Sequence, residues 1–322
     1  MNINDKNRKL VAEDQSKLAI LNAEEITGKL DVVSSLLGQD KVVLVKGVED
    51  AAADQLIKDI AWELDLLSGL ELHAGFAEIY GHRKKMSDYF MTVNKRHDYQ
   101  CTLPHSEGSS FQNIQMVSFF CRENTTDGGE TILFNLNTDN QQAWSSLRER
   151  SLKAKLTDLE LTEAQKAEVK MRYQVKIPED LLSDDDQILK TSKSHLAGLE
   201  LVDVLSKPKK TFSKILQREL YGYWSSMSRF DSNAVYDFRG ILRSENMYKE
   251  PPGDPEKFEF DDGLIDKRIW NSGIHYDQIF TSKLSIKLQP GDFIVLNNLS
   301  WVHGVNNWTP NSGDRTILAA MA

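Results

Sequence analysis

Apolar residues recur at three- and four-residue spacing among charges from Asn22 to Leu37 and again from Ala51 to Leu67, as in DQLIKDIAWELDLL, and this period predicts two surface helices. Between them, KVVLVKG (Lys41 to Gly47) is a β-branched run closed by glycine, the pattern of a buried strand. A second strand-rich stretch starts near Asn113 with IQMVSFFCR, passes through turn material from Asn124 to Gly129, and resumes in TILFNL. The two strands are expected to form a hairpin with a longer loop. From about Asp139 to Glu200 the chain becomes charged and is expected to be helical, as in QQAWSSLRERSLKAKLTDLELTEAQKAEVKMR. Three prolines and two glycines in EPPGDPEKFEFDDG then discourage regular structure. Strand signals return in LSIKL, a QPGD turn, FIVLNN and the final RTILAAMA. Strands thus precede and follow a mostly non-β excursion. The chain reads as one domain, residues 1–322, with a lid-like insertion at about 139–270.

At 322 residues, 40% hydrophobic and 27% charged, the composition is that of a globular chain with a sizeable core, which excludes disorder and fibrous repeats. The 39 basic against 48 acidic side chains leave a net charge of −9, so the surface as a whole repels a phosphate backbone and no nucleic-acid partner is expected. Cys101 and Cys121 are too few for a disulfide framework and are expected as reduced, packing thiols. Met1 to Glu13 is polar, without the apolar core of a secretion signal, and no apolar run reaches the ~20 residues of a membrane span. A cytoplasmic location with no membrane contact is the expectation.

Candidate chemistry concentrates in two places. In Pro104-His105-Ser106-Glu107, alternate residues of an extended chain point the same way, so His105 and Glu107 can converge on one ion. Near the other end, His303-Gly304 is followed by Arg315 in the last strand. Two imidazoles and one carboxylate on one face form the donor set that leaves adjacent positions open on Fe(II), where a chelating co-substrate and O2 can bind. A rival triplet, His275-Tyr276-Asp277, lies too close to His303 for the intervening strands and lacks the other elements. The Arg83-Lys84-Lys85 run and the Lys207 to Lys210 cluster read as solvated faces, and His73, His82, His97 and His195 as solvated or capping residues.

His105-x-Glu107, the downstream Gly128-Gly129-Glu130-Thr131, His303-Gly304 and Arg315 together resemble the 2-oxoglutarate-dependent non-haem iron oxygenases of the taurine dioxygenase and clavaminate synthase-like superfamily. The resemblance covers about residues 100–138 and 284–322. It implies an α+β fold with a mainly β core, a double-stranded β-helix or jelly roll with flanking helices and a lid. It further implies His105, Glu107 and His303 as iron ligands, Thr131 and Arg315 on the distal carboxylate of 2-oxoglutarate, and Fe(II), 2-oxoglutarate and O2 as the cofactor set. A planar guanidinium suits that carboxylate, because it donates two parallel hydrogen bonds. One departure is Ala319, where much of the family has a second arginine, so the group holding the reactive end of 2-oxoglutarate is unassigned.

Glu107 fills the iron position that halogenating relatives leave to chloride, which favours hydroxylation. The implied substrate is a small polar metabolite, such as a free or carrier-tethered amino acid or an amino-acid-derived intermediate of secondary metabolism. Desaturation, epoxidation or cyclisation would use the same residues. A non-catalytic jelly-roll binding protein and a zinc hydrolase are the alternatives from other classes.

Overall fold

Strand β1 (Leu18–Asn22), helices α1 (Ala23–Ile26) and α2 (Leu30–Gly38), and strand β2 (Val42–Lys46) open the chain in the computed structural model. The structure describes residues 11–26, 28–80, 83–93, 96–108, 112–146, 148–157, 160–221, 234–253 and 279–322. Helices α3 (Asp50–Glu63) and α4 (Leu67–Tyr80) follow, then strands β3 (Met91–Thr92), β4 (Thr102–His105), β5 (Met116–Asn124) and β6 (Thr131–Leu136). Next come α5 (Gln141–Ser146), β7 (Glu149–Leu156), α6 (Glu163–Tyr173), β8 (Gln187–Lys193), β9 (Leu199–Ser206), β10 (Thr211–Ser213), β11 (Arg218–Leu220) and α7 (Ala234–Ser244). The chain closes with β12 (Phe280–Ile286), β13 (Phe293–Asn297), β14 (Trp301–Val305) and β15 (Arg315–Met321).

The architecture is mixed α/β with mainly sheet content. A six-stranded sheet, ordered β1-β2-β13-β5-β15-β3, faces a four-stranded sheet, ordered β12-β6-β14-β4. Because side chains alternate along a strand, each sheet has an inner and an outer face. Phe119 and Cys121 of β5, Leu296 of β13 and Ala319 of β15 meet Leu133, Leu284 and Trp301 of the smaller sheet in one buried cluster. The outer face of the larger sheet packs Val43, Val45, Phe120 and Leu318 against α2, α3 and α4. The outer face of the smaller sheet packs Phe134 and Val302 against Trp144 of α5 and Phe238 of α7.

Helix α3 shows how its sequence produces this packing. Ala53, Ile57, Ile60 and Ala61 recur at helical spacing and are all buried. Each isoleucine so buried contributes about 1.5–3 kcal/mol. Its expected extension to Leu67 stops short, because Asp65 adopts a left-handed backbone (φ 55°) and the chain restarts as α4. The expected helix from Asn22 to Leu37 also divides, since Gly28 (φ 72°) separates α1 from α2. Ahead of it, Leu18–Asn22 is drawn into a parallel ladder beside β2.

Two further expectations are overturned. IQMVSFFCR and TILFNL are strands, but they do not form a hairpin, since β5 pairs with β13 and β15 whereas β6 pairs with β12 and β14. The Asn124 to Gly129 connection carries the chain from one sheet to the other. Nor are residues 139–200 uniformly helical. Among the described residues of that stretch α5 and α6 are the helices, and β7, β9 and β8 form a three-stranded sheet. The reason is visible in β9, where Leu199, Leu201, Val202 and Val204 are buried along LELVDVLS and Leu199 packs with Ala154 and Val169 in a small separate core. Charge density there marks the solvent face of a sheet.

Cys101 and Cys121 are free and buried, as expected, and burial pushes their thiols up to about 12 and about 11. No helix among the described residues is long and apolar enough to cross a membrane.

Candidate metal centre

Strands β4 and β14 run antiparallel with His105 and His303 directly paired, so two residues far apart in sequence become cross-strand neighbours. Their ring centroids lie 4.3 Å apart. Glu107 follows two residues after His105, and its Oε1 lies 3.8 Å from His105 Nε2 and 3.5 Å from His303 Nε2. The three donor atoms fall within 4.8 Å of one another. Bonds of ~2.0–2.2 Å to a divalent ion set neighbouring donors roughly 3 Å apart, so a small contraction brings all three into one coordination sphere.

Protonation suits the same reading. His105 Nδ1 lies 2.8 Å from the Leu103 carbonyl, which can only accept, so Nδ1 carries the proton and Nε2 presents a lone pair. Burial and the neighbouring His105 push His303 down to about 4. Burial on its own would raise Glu107, but the Arg83 guanidinium and the contacts with His105 and His303 outweigh it and hold its carboxyl well below the usual range. At neutral pH the cluster therefore offers one carboxylate and a neutral His303. Such a mixed N/O donor set with open positions fits a divalent transition metal.

Two residues position Glu107, and neither was expected to. Asn298, fully buried, accepts from the Glu107 backbone N–H (2.9 Å) through Oδ1 and donates through Nδ2 to the Glu107 carbonyl (2.9 Å) and to that of Ile114 (2.8 Å). Arg83 is the other. The expected solvated face at Arg83-Lys84-Lys85 is corrected here, because Arg83 Nη2 donates to both oxygens of Glu107 at 3.0 and 3.1 Å. Its side chain is only 17% exposed and Glu107's 14%. Sequence alone carries no signal for this, since a basic run reads the same whether one member turns inward or not.

Without Arg83, Glu107 would be a largely buried carboxylate lacking its cation. Arg83→Gln is expected to lower the stability of the metal-free protein by about 1.5–3 kcal/mol. Adding Mn(II) should restore part of this, giving a larger metal-induced rise in Tm than in the wild type. Calorimetry of both proteins with and without the ion checks this, and equal metal-induced shifts would contradict it.

Thr131 opens β6, opposite Val305, two residues before the Leu133 that pairs with His303. It is buried and shares the inner face with Leu133. Arg315 opens β15, with Nε donating to the Gly129 carbonyl at 3.3 Å and its guanidinium carbon 5.6 Å from the centre of the Trp308 ring. Burial pulls Arg315 down to about 10, against the pull of Cys121 and Glu130.

The glycines of both motifs have steric reasons. A Cβ on Gly128 would lie 2.0 Å from the Asn307 carbonyl oxygen, and one on Gly304 would lie 2.7 Å from that of Thr102. Gly304 thus lets β14 close on β4 next to the paired histidines. Gly304→Ala is expected to destabilise the fold by about 1–3 kcal/mol and to loosen metal binding, as urea unfolding and Mn(II) titration would reveal. Unchanged values in both would contradict the close approach.

Asp40 anchors the start of β14. Its carboxylate accepts from Ser300 Oγ and from Asn135 Nδ2, and its carbonyl accepts from Trp301 Nε1 at 3.2 Å. Trp301 is consequently a core residue. His195 bonds Tyr173 and Glu168 at the surface and His97 is exposed, in line with solvated roles. The Lys207 to Lys210 cluster makes exposed contacts with Asp185, Asp180 and Tyr221. His82 and the rival triplet at His275 lie outside the described residues.

No family model and no curated protein matches the chain. It is similar to the solved structure of AAD-2 in complex with Mn(II) and N-oxalylglycine, at 14% identity over 92% of this chain and 88% of that one, with a TM-score of 0.41. It is also similar to the non-heme iron oxygenase OrfP in complex with Fe, at 12% identity over 93% and 81% with a TM-score of 0.40. A third similar structure is PvcB, an Fe, alpha-ketoglutarate dependent oxygenase from an isonitrile synthetic pathway, at 8% identity over 97% and 89% with a TM-score of 0.38.

Proposed function

We propose that the chain is an Fe(II)- and 2-oxoglutarate-dependent oxygenase that hydroxylates a small polar metabolite, with its two facing sheets forming a double-stranded β-helix and residues near 139–270 acting as a lid. The observation that carries this reading is the convergence of His105, Glu107 and His303 on one point, with Arg315 opening the strand that lines the same interior. When bound, Fe(II) with 2-oxoglutarate and O2 supplies an oxidant able to attack an unactivated carbon while 2-oxoglutarate is converted to succinate and CO2.

The chain's own part is to bind, orient and exclude water. His105 and His303 each offer Nε2, and Glu107 a carboxylate oxygen turned by Arg83 and Asn298. Thr131 and Arg315 hold the distal carboxylate of 2-oxoglutarate, Arg315 through its planar fork and Thr131 through its hydroxyl. Phe119, edge-on to His303 with centroids 4.8 Å apart, keeps the ligand ring dry. The substrate class is an amino acid or amino-acid-derived intermediate, free or tethered to a carrier.

Succinate release from 2-oxoglutarate tests the proposal, measured aerobically with Fe(II) across free and carrier-tethered amino acids. Release that needs Fe(II) and O2 and rises with one substrate class is expected. Hydrolytic activity with Zn(II) and no O2 requirement would replace the proposal with a zinc hydrolase. No release under any condition would leave a binding protein.

A further inference from the structure

Arg315 is not alone at its end of the interior. The guanidinium carbon of Arg96 lies 5.4 Å from the centre of the Trp308 ring, the same ring that Arg315 approaches to 5.6 Å. Two cations therefore share one indole. Nη1 of Arg96 is buried and, among the described residues, meets no hydrogen-bond acceptor. Arg315 makes one hydrogen bond among them, from Nε to Gly129, so neither of its Nη groups is engaged. No carboxylate of the described residues forms an ion pair with either guanidinium.

Nearby acids are otherwise engaged. Glu130 accepts from Asn306 Nδ2, and Asp127 accepts from Thr309 and Ser312. Lys287 adds a third positive charge, held against the carbonyls of Thr126 and Gly128. Burial and then the charge of Arg315 pull Arg96 down to about 9, against the pull of Cys101. Leaving two such groups together is unfavourable unless something negative joins them.

We propose that Arg96 is a second carboxylate-binding residue, and that Arg96 and Arg315 together receive the distal carboxylate of 2-oxoglutarate against the face of Trp308. This rests on the oxygenase reading and adds to it a residue outside the motif elements. A carboxylate has two oxygens and about four acceptor positions, enough for two forks at once. The arrangement favours a keto acid with a far carboxylate over one without.

The test is a calorimetric titration of the Mn(II)-loaded full chain with 2-oxoglutarate and, separately, with pyruvate, which keeps the keto acid but lacks the distal carboxylate. Arg96→Gln is expected to weaken 2-oxoglutarate binding by on the order of 10–100-fold and to leave pyruvate binding unchanged. Arg96→Lys, which keeps the charge without the fork, should fall between the wild type and Arg96→Gln, and it serves alone if Arg96→Gln does not fold. Unchanged 2-oxoglutarate affinity in both variants, or an equal loss for the two keto acids, would overturn the proposal while leaving the oxygenase reading intact. A wild type that binds no 2-oxoglutarate at all would overturn that reading as well.

Discussion

Replacing His303 by alanine is expected to remove Fe(II)-dependent succinate formation, lowering turnover by about three orders of magnitude or more, and His105→Ala should do the same. A metal's contribution to such chemistry is worth several kcal/mol, and each 1.36 kcal/mol is a factor of ten in rate. Two remaining donors would not hold an ion in a defined geometry, because the candidate set among the described residues is His105, Glu107 and His303. His303 is also packed between Phe119 and His105, so His303→Gln is the gentler variant for separating lost metal from lost packing. Mn(II) titration followed by thermal unfolding reads metal binding directly. A His303 variant that folds, binds Mn(II) normally and keeps a tenth of the wild-type turnover would sink the ligand assignment.

The second large effect concerns Arg315. Arg315→Ala should raise the KM for 2-oxoglutarate by roughly 100-fold, with kcat at saturating co-substrate changed much less, because the lost interaction is made equally in the ground and transition states. Hydrogen bonds to charged groups contribute about 1.5–3 kcal/mol each, and a bidentate guanidinium supplies two. Arg315→Lys should recover only part of the loss, since a point charge does not match the carboxylate plane. Initial rates against 2-oxoglutarate concentration decide the matter. A variant that lost kcat with an unchanged KM would place Arg315 outside the co-substrate site.

Much of the candidate site was legible before any coordinates. His105 and Glu107 are two residues apart on extended chain, and a period of two suffices to point both side chains the same way. Gly128 and Gly304 were readable as motif members, and the structure adds the reason, which is the nearness of the Asn307 and Thr102 carbonyls. Arg83, Asn298 and Arg96 were not legible in these roles. Nothing local distinguishes Arg83 from the lysines beside it; what distinguishes it is a carboxylate 24 positions on that burial leaves in need of a cation. Asn298 acts across 191 positions, and the importance of Arg96 lies in its sharing Trp308 with Arg315.

The same division runs through the fold. Hydrophobic periodicity and turn chemistry identified β2, β5, β6, β13 and β15 as strands, because alternation and β-branching act within a few residues. Amino-acid order alone also determined that two histidines, a glutamate and an arginine were available for metal and carboxylate chemistry. Which strand lies beside which was decided only in three dimensions: β5 and β6, adjacent in the chain, went to opposite sheets, and β4 and β14, far apart, came together to pair His105 with His303. The physical reason is that a ladder hydrogen bond and a buried charge are satisfied by whatever the folded chain brings within about 3 Å, and sequence distance does not enter that requirement.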